Sequence, residues 1–148
     1  MSKEQENKAI AARWLEGFWG HSWTPKIVDD LAADYILIQF SLQMPCRGRS
    51  AAKNFLLGIR DIFHGLKFHH REDLVTDGEY VIARLEGVGT HAGAMFLDFF
   101  IGLFPVNSGR KVHLAGTTTL RIKNGKIVED MTRATWALEQ PRLQRAAA

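Results

Sequence analysis

The chain has 148 residues, 46% of them hydrophobic and 24% charged, with 19 Lys and Arg against 16 Asp and Glu and a single cysteine. That length supports one closed core and hence a single domain over 1–148, and the composition excludes disordered, collagen-like and coiled-coil chains. Near-balanced charge without a block of like residues gives no footprint for nucleic acid, and Cys46 alone excludes an intramolecular disulfide.

The opening MSKEQENKAIAARW is charged and has no apolar core of a signal peptide. Ile10, Trp14, Leu15, Phe18 and Trp19 form the stripe of an amphipathic helix over 4–19. Thr24 and Pro25 read as cap and first turn of a second helix facing inward through Ile27, Val28 and Leu31. DYILIQF at 34–40 predicts a strand, and QMPCRGRS a loop carrying Cys46 as a free thiol, with Ser50 capping a helix over 50–63 that turns Phe55, Ile59, Ile62 and Phe63 inward.

Beyond Gly65 helical period gives way to alternation. LKFHHREDLV, YVIARLEGVGTH, RKVHLAGTTTLRI and KIVEDMTRATW read as four strands, with turns at TDGE and KNGK. Three helices followed by such strands predict an α+β domain in which a curved antiparallel sheet wraps the helices. The longest nearly uncharged run, 92–109, is broken by Asp98 and Pro105 and is too short to span a bilayer, so no membrane association and a cytoplasmic location are expected. The AAA tail at 146–148 is expected to fray.

Glu129 and Asp130 are adjacent on one strand and point to opposite faces, which rules out a cooperating pair of carboxylates. Two roles are open for Asp130: a general base whose proton affinity is raised by an apolar wall, or an edge acid paired with a nearby Lys or Arg. Glu129 suits an ion pair beside Arg133. His69 and His70 point apart, and no H-x-H, H-x-x-x-H or H-E-x-x-H spacing occurs, so no metal is expected. His91 ends a strand and either polarises a substrate carbonyl or ties its ring to nearby backbone. His113 falls on the outer face, and His21 and His64 lie in loop-like settings. No G-x-S-x-G elbow is present, and the GVG at 87–89 lies inside a strand, where it bends the chain and binds no dinucleotide.

Thr90-His91-x-Gly93, the run Gly116-x4-Arg121-x3-Gly125-Lys126-Ile127-x-Glu129 and the aromatic first helix together resemble the SnoaL-like polyketide cyclases of the NTF2-like superfamily, over nearly the whole chain. The resemblance implies three N-terminal helices packed on a curved antiparallel sheet, a cone with an apolar cavity, homodimers through the outer sheet face, and no cofactor. In the cyclases it implies aldol ring closure driven by an aspartate acid/base. That aspartate's place is held here by Thr132, a partner histidine's by Thr118, an asparagine's by Leu37 and a glutamine's by Gly116. The expected ligand wall is Trp14, Phe18, Tyr35, Phe55, Thr118, Thr132 and Trp136, with Asp130 as surviving base and His91 as its polar partner. Relative to the family the chain inserts an apolar segment at 94–104, which suits a lid or an interface.

Two functions follow: cofactor-free proton transfer on a small hydrophobic carbonyl compound (cyclisation or isomerisation), or a binding and carrier module that has lost its acid/base. A ketosteroid-isomerase-like base is disfavoured, because DYILIQF offers no acid after Asp34.

Overall fold

The computed structural model describes residues 1–41, 43–98 and 102–138, with the side chains of 71–73, 98, 102 and 136 outside the description. Ser2 starts helix α1, Lys3–Trp14: its hydroxyl accepts from the Gln5 amide at 3.1 Å while the Gln5 side chain accepts from the Ser2 amide at 2.9 Å. The helix runs on into a π turn, Leu15–Trp19. Helix α2, Lys26–Leu31, has Pro25 in the cap position, and the Thr24 hydroxyl accepts from the Lys26 amide at 3.3 Å. Strand β1, Ala32–Phe40, and the two-residue β2, Cys46–Arg47, precede helix α3, Arg49–Ile62. The expected three helices are thus two long ones and a short α2 of six residues. The cap of α3 is Gly48, at φ 95°, with Ser50 inside the helix. Cys46 is half-buried and paired to Ile38, so the expected loop thiol lies on a strand.

The strands that follow are β3, Phe63–Asp77; β4, Tyr80–His91; β5, Phe96–Asp98; β6, Gly102–Phe104; β7, Lys111–Lys123; and β8, Lys126–Leu138. The KNGK turn places Asn124 at φ 50° and Gly125 at φ 76°, two left-handed residues as a tight β7–β8 hairpin requires. The main sheet has the order β2-β1-β8-β7-β4-β3. It is mixed, not antiparallel throughout, because β1 runs parallel to β8. No hairpin joins those two strands, so local turn chemistry leaves their relative direction free. The fragment 94–104 contributes the small β5–β6 hairpin; its residues 99–101, like the tail at 146–148, lie outside the described residues.

The helices fill the concave face of the sheet. Trp14, Phe18, Trp19, Phe40 and Phe68 are all at most 3% exposed and pack ring against ring with half-buried Phe55. The cone interior is thus occupied by aromatic side chains where an open apolar cavity was expected. Gly87 and Gly89 do more than bend β4: a Cβ at Gly87 would sit 2.6 Å from the Phe68 ring, so the missing side chain is what admits that ring.

Gly17 brings the π turn against α2, and a Cβ there would lie 2.6 Å from Cγ1 and 3.0 Å from Cβ of Ile27. Gly17→Ala is expected to destabilise the fold by roughly 1–3 kcal/mol through overpacking. Urea titration of Gly17→Ala, Ile27→Ala and the double variant checks this, since the two losses should be less than additive only if the contact is the cause.

Candidate active site

The alternation of β8 buries Asp130 and Thr132, at 0% and 1% exposure, and turns Arg133 and Thr135 outward. Asp130 lies between β1 and β7, level with Ile38 and Leu120. Its Oδ2 accepts the indole N–H of Trp14 at 2.8 Å and that of Trp19 at 2.9 Å. Its Oδ1 accepts the Thr132 hydroxyl at 2.8 Å, and Thr132 in turn lies 2.8 Å from the Thr118 hydroxyl. With the carboxylate charged, Thr132 is committed as donor to Asp130, so Thr118 donates to Thr132.

No cation compensates this carboxylate among the described residues. Burial raises its pKa, and the bonds from Trp14, Trp19 and Thr132 pull it partly back. A carboxylate offers about four acceptor positions and three are filled, which leaves one lone pair on Oδ1.

Trp14 and Trp19 reach the same oxygen because of the π turn. In an α-helix, at about 100° per residue, positions five apart diverge by about 140°. A π turn bonds i to i+5, so residues five apart stand one above the other. Arg60 supports this turn by donating from Nη2 to the Phe18 carbonyl at 2.7 Å. Trp19 and Arg60 are the residues the sequence reading did not place at the site. A signal for Trp19 existed: a buried acid needs donors, and tryptophan is a donor that carries no acceptor.

The rings of Trp14, Phe18 and Phe55 form a nearly parallel stack, with centroids 4.6 Å and 6.2 Å apart and planes within 10° and 5°. The stack leads from the carboxylate to half-buried Phe55 at its outer end. Trp14, Phe18, Phe55, Thr118 and Thr132 are therefore brought together around Asp130.

Tyr35 and His91 are not. Tyr35 is 57% exposed, because Ile36, Ile38 and Phe40 face inward and alternation puts residue 35 on the other face. His91 faces the interior at the far end of β4. Asp130 is level with Leu120 on β7, and Leu120 with Val81 on β4; the ten residues from 81 to 91 span up to about 33 Å of strand. Both His91 nitrogens are occupied: Nδ1 lies 2.7 Å from the Ser108 hydroxyl and Nε2 is 2.6 Å from the Ala94 carbonyl. A carbonyl only accepts, so Nε2 carries the proton and Nδ1 accepts from Ser108. His91 thus ties Ala94 to Ser108. Its motif partner Gly93 lies where a Cβ would collide with the Asp61 carbonyl. The Trp136 side chain lies outside the described residues; its backbone pairs with Leu114.

Gly116 likewise has no room for the family's glutamine, since a Cβ there would overlap the Arg133 carbonyl and lie 2.7 Å from the Ala134 Cα. Glu129 lies 3.7 Å from Arg121, its register partner on β7, in a cross-strand ion pair. Among the described residues no group of three or more His, Cys, Asp or Glu could hold a metal ion, and no helix is long and apolar enough to cross a membrane.

Comparison with known proteins follows this geometry. A candidate SnoaL-like polyketide cyclase from Jannaschia sp. CCS1 superposes with a TM-score of 0.71 at 17% identity, over 99% of this chain and 93% of that one. IdmH, a candidate polyketide cyclase from Streptomyces antibioticus, gives 0.64 at 21%, over 86% and 91%. An LEH-like epoxide hydrolase of M. tuberculosis gives 0.62 at 12%, over 90% and 86%. At these identities the likeness is one of fold, the NTF2-like cone. No curated protein matches the chain in sequence. The family profile of the SnoaL-like polyketide cyclases matches residues 9–134, and the chain belongs to that family.

Proposed function

We propose that this protein binds a small, flat, hydrophobic carbonyl compound inside the cone and moves a proton on it with Asp130, without a cofactor, in a ring closure or isomerisation. The observation that carries the reading is the buried, uncompensated Asp130 carboxylate with one lone pair uncommitted. A carboxyl whose proton affinity is raised by burial suits both halves of a proton transfer near neutral pH. In the first half Oδ1 takes the α-proton of the bound ketone, and the electrons of the broken C–H bond move to the carbonyl oxygen as an enolate. In the second the neutral acid returns a proton to carbon or oxygen.

The ligand enters the cone by taking the place of Phe55 and extends toward Oδ1 along Trp19, against which Phe55 packs at 5.9 Å. A flat molecule lying on Phe18 continues the ring stack and covers the apolar area that Phe55 covers in its absence. The side chains that line the site supply neither a metal nor a second acid. Thr118 and Thr132 serve as a hydroxyl chain whose direction reverses when Asp130 is protonated: the acid donates to Thr132, and Thr132 to Thr118.

One observation favours a carrier that does not turn over. The cyclase acid/base place is Thr132, and its hydroxyl is spent on Asp130. The two readings separate in one experiment, deuterium exchange at the α-carbon of a bound cyclic ketone followed by NMR. Exchange that depends on Asp130 supports the enzyme; binding without such exchange supports the carrier.

We further propose a homodimer through the outer sheet face. Concavities of 690 Å³ and 460 Å³ meet there at Ala115 and Thr135, with Met131 bordering one and half-exposed Val88 the other. Sedimentation equilibrium at tens of micromolar protein is expected to give twice the chain mass, and Thr135→Arg to lower it toward the monomer. A wild-type monomer throughout that range rejects the assembly.

A further inference from the structure

A concavity of 270 Å³ opens where the loop after the π turn, the last turn of α3 and the start of β3 converge, and it includes His21, Trp23, Arg60, His64 and Lys67. Each of these side chains carries an N–H donor, and no carboxylate lines the space. Of the acids near in sequence, Asp61 beside Arg60 is exposed and does not line the space, and Glu16 accepts from the Ser22 amide at 3.1 Å.

Arg60 is the centre of the cluster. Its Nη1 and Nη2 donate to the backbone carbonyls of Leu56 and Phe18, at 2.9 Å and 2.7 Å, and its guanidinium lies 4.6 Å over the Trp23 ring. These neighbours fix the guanidinium plane without neutralising it. Its Nε is buried and has no hydrogen-bond partner, and burial lowers its pKa to about 10, the direction in which an uncompensated cation moves.

A β-bulge completes the arrangement. On β3, His64 pairs with Thr90 and Lys67 with Val88, so three residues on one strand match two on the other, with Gly65 at φ 65° taking up the difference. His64 and Lys67 are an odd number of residues apart and would face opposite sides of a regular strand. The bulge sets both on the side of Thr90 and Val88, the outer face at the sheet edge, where they line the concavity with Arg60.

We infer that this pocket binds a small oxyanion, a carboxylate or a phosphate ester, with Arg60, Lys67 and His64 as its donors and Trp23 as its apolar wall. An oxyanion that presents two oxygens is the chemistry that pairs with a fixed guanidinium, and two further N–H donors on the facing strand hold its remaining oxygens. The two sites share Arg60, which also holds the Phe18 carbonyl of the π turn; His64 and Lys67 belong to this pocket alone, so variants at those two positions test it independently of Asp130.

The test is a titration of the full chain with sulfate at constant ionic strength, followed by amide and indole N–H shifts. Saturable shifts of the Trp23 indole and of the His64 and Gly65 amides are expected. His64→Ala with Lys67→Ala, at two exposed positions, is expected to weaken binding by about tenfold or more with an unchanged melting temperature. Arg60→Lys, which keeps the charge and loses the fork, is expected to weaken it too. Shifts that grow linearly with sulfate, or saturate identically in the double variant, overturn the site. Parallel titrations with benzoate and phenyl phosphate assign the anion: the tighter of the two names the class, and equal affinity leaves the shared oxyanion chemistry in place.

Discussion

Asp130→Asn lowers α-proton exchange on a bound ketone by about 10² to 10⁴-fold, the usual cost of losing a general base, while ligand affinity stays within a few-fold of wild type. The variant is informative because the site can accept an amide. The Asn carbonyl oxygen takes the place of Oδ2 and accepts both indole N–H groups, of Trp14 and Trp19. The amide nitrogen then faces Thr132, which turns from donor to acceptor and passes its own proton to Thr118. Both buried indole N–H groups keep their acceptor, so a lost rate with unchanged urea unfolding reports chemistry and not collapse. Equal exchange in wild type, Asp130→Asn and a protein-free control, with binding retained, leaves a carrier.

Asp130→Ala has a different outcome. It strands two buried indole N–H groups, at about 1–3 kcal/mol each, and removes the acceptor of Thr132, so a loss of roughly 3–5 kcal/mol is expected in urea unfolding. The pH dependence separates charge from packing. Burial holds the Asp130 pKa above its unfolded value, so the native state binds this proton more tightly than the unfolded chain does. Its contribution is fully present below the ordinary carboxyl value near 4 and is lost as pH rises through the raised value. The stability of wild type relative to Asp130→Asn therefore falls as pH is raised from about 4, then becomes constant. A difference that stays flat across that range, or grows with pH, contradicts an acid with raised proton affinity.

Much of this was readable in the sequence because it is local. The inward parity of Asp130 and Thr132 follows from period-two alternation, and the KNGK turn from the left-handed preference of Asn and Gly. The features that decide the site are not local. The parallel pairing of β1 with β8 joins Ile38 to Asp130 across 91 intervening positions, and no turn motif encodes it. The bulge at Gly65 looks in the sequence like any strand-edge glycine, although it reverses the side on which Lys67 emerges. His91 fits a catalytic motif by spacing, but only the β4–β7–β8 register shows that it stands at the other end of the cone. Tyr35, in contrast, has the opposite parity to Ile36, Ile38 and Phe40, so the alternation of β1 already places it on the outer face.

The π turn at Leu15–Trp19 makes the clamp a matter of counting. What holds the carboxylate is the helical phase between two indoles, and a π turn is one residue longer than the α turn it replaces. Straightening the π turn into a regular α-helix at unchanged length would put about 140° between the two indoles and disarm the site, with both tryptophans still in the chain. Relatives whose tryptophans stand four apart on a regular α-helix keep them within about 40° of one another and can hold the same acid, whereas a pair five apart needs the π turn. Spacing, more than identity, is the trait to compare when sorting family members that hold a buried acid in this way from those that do not.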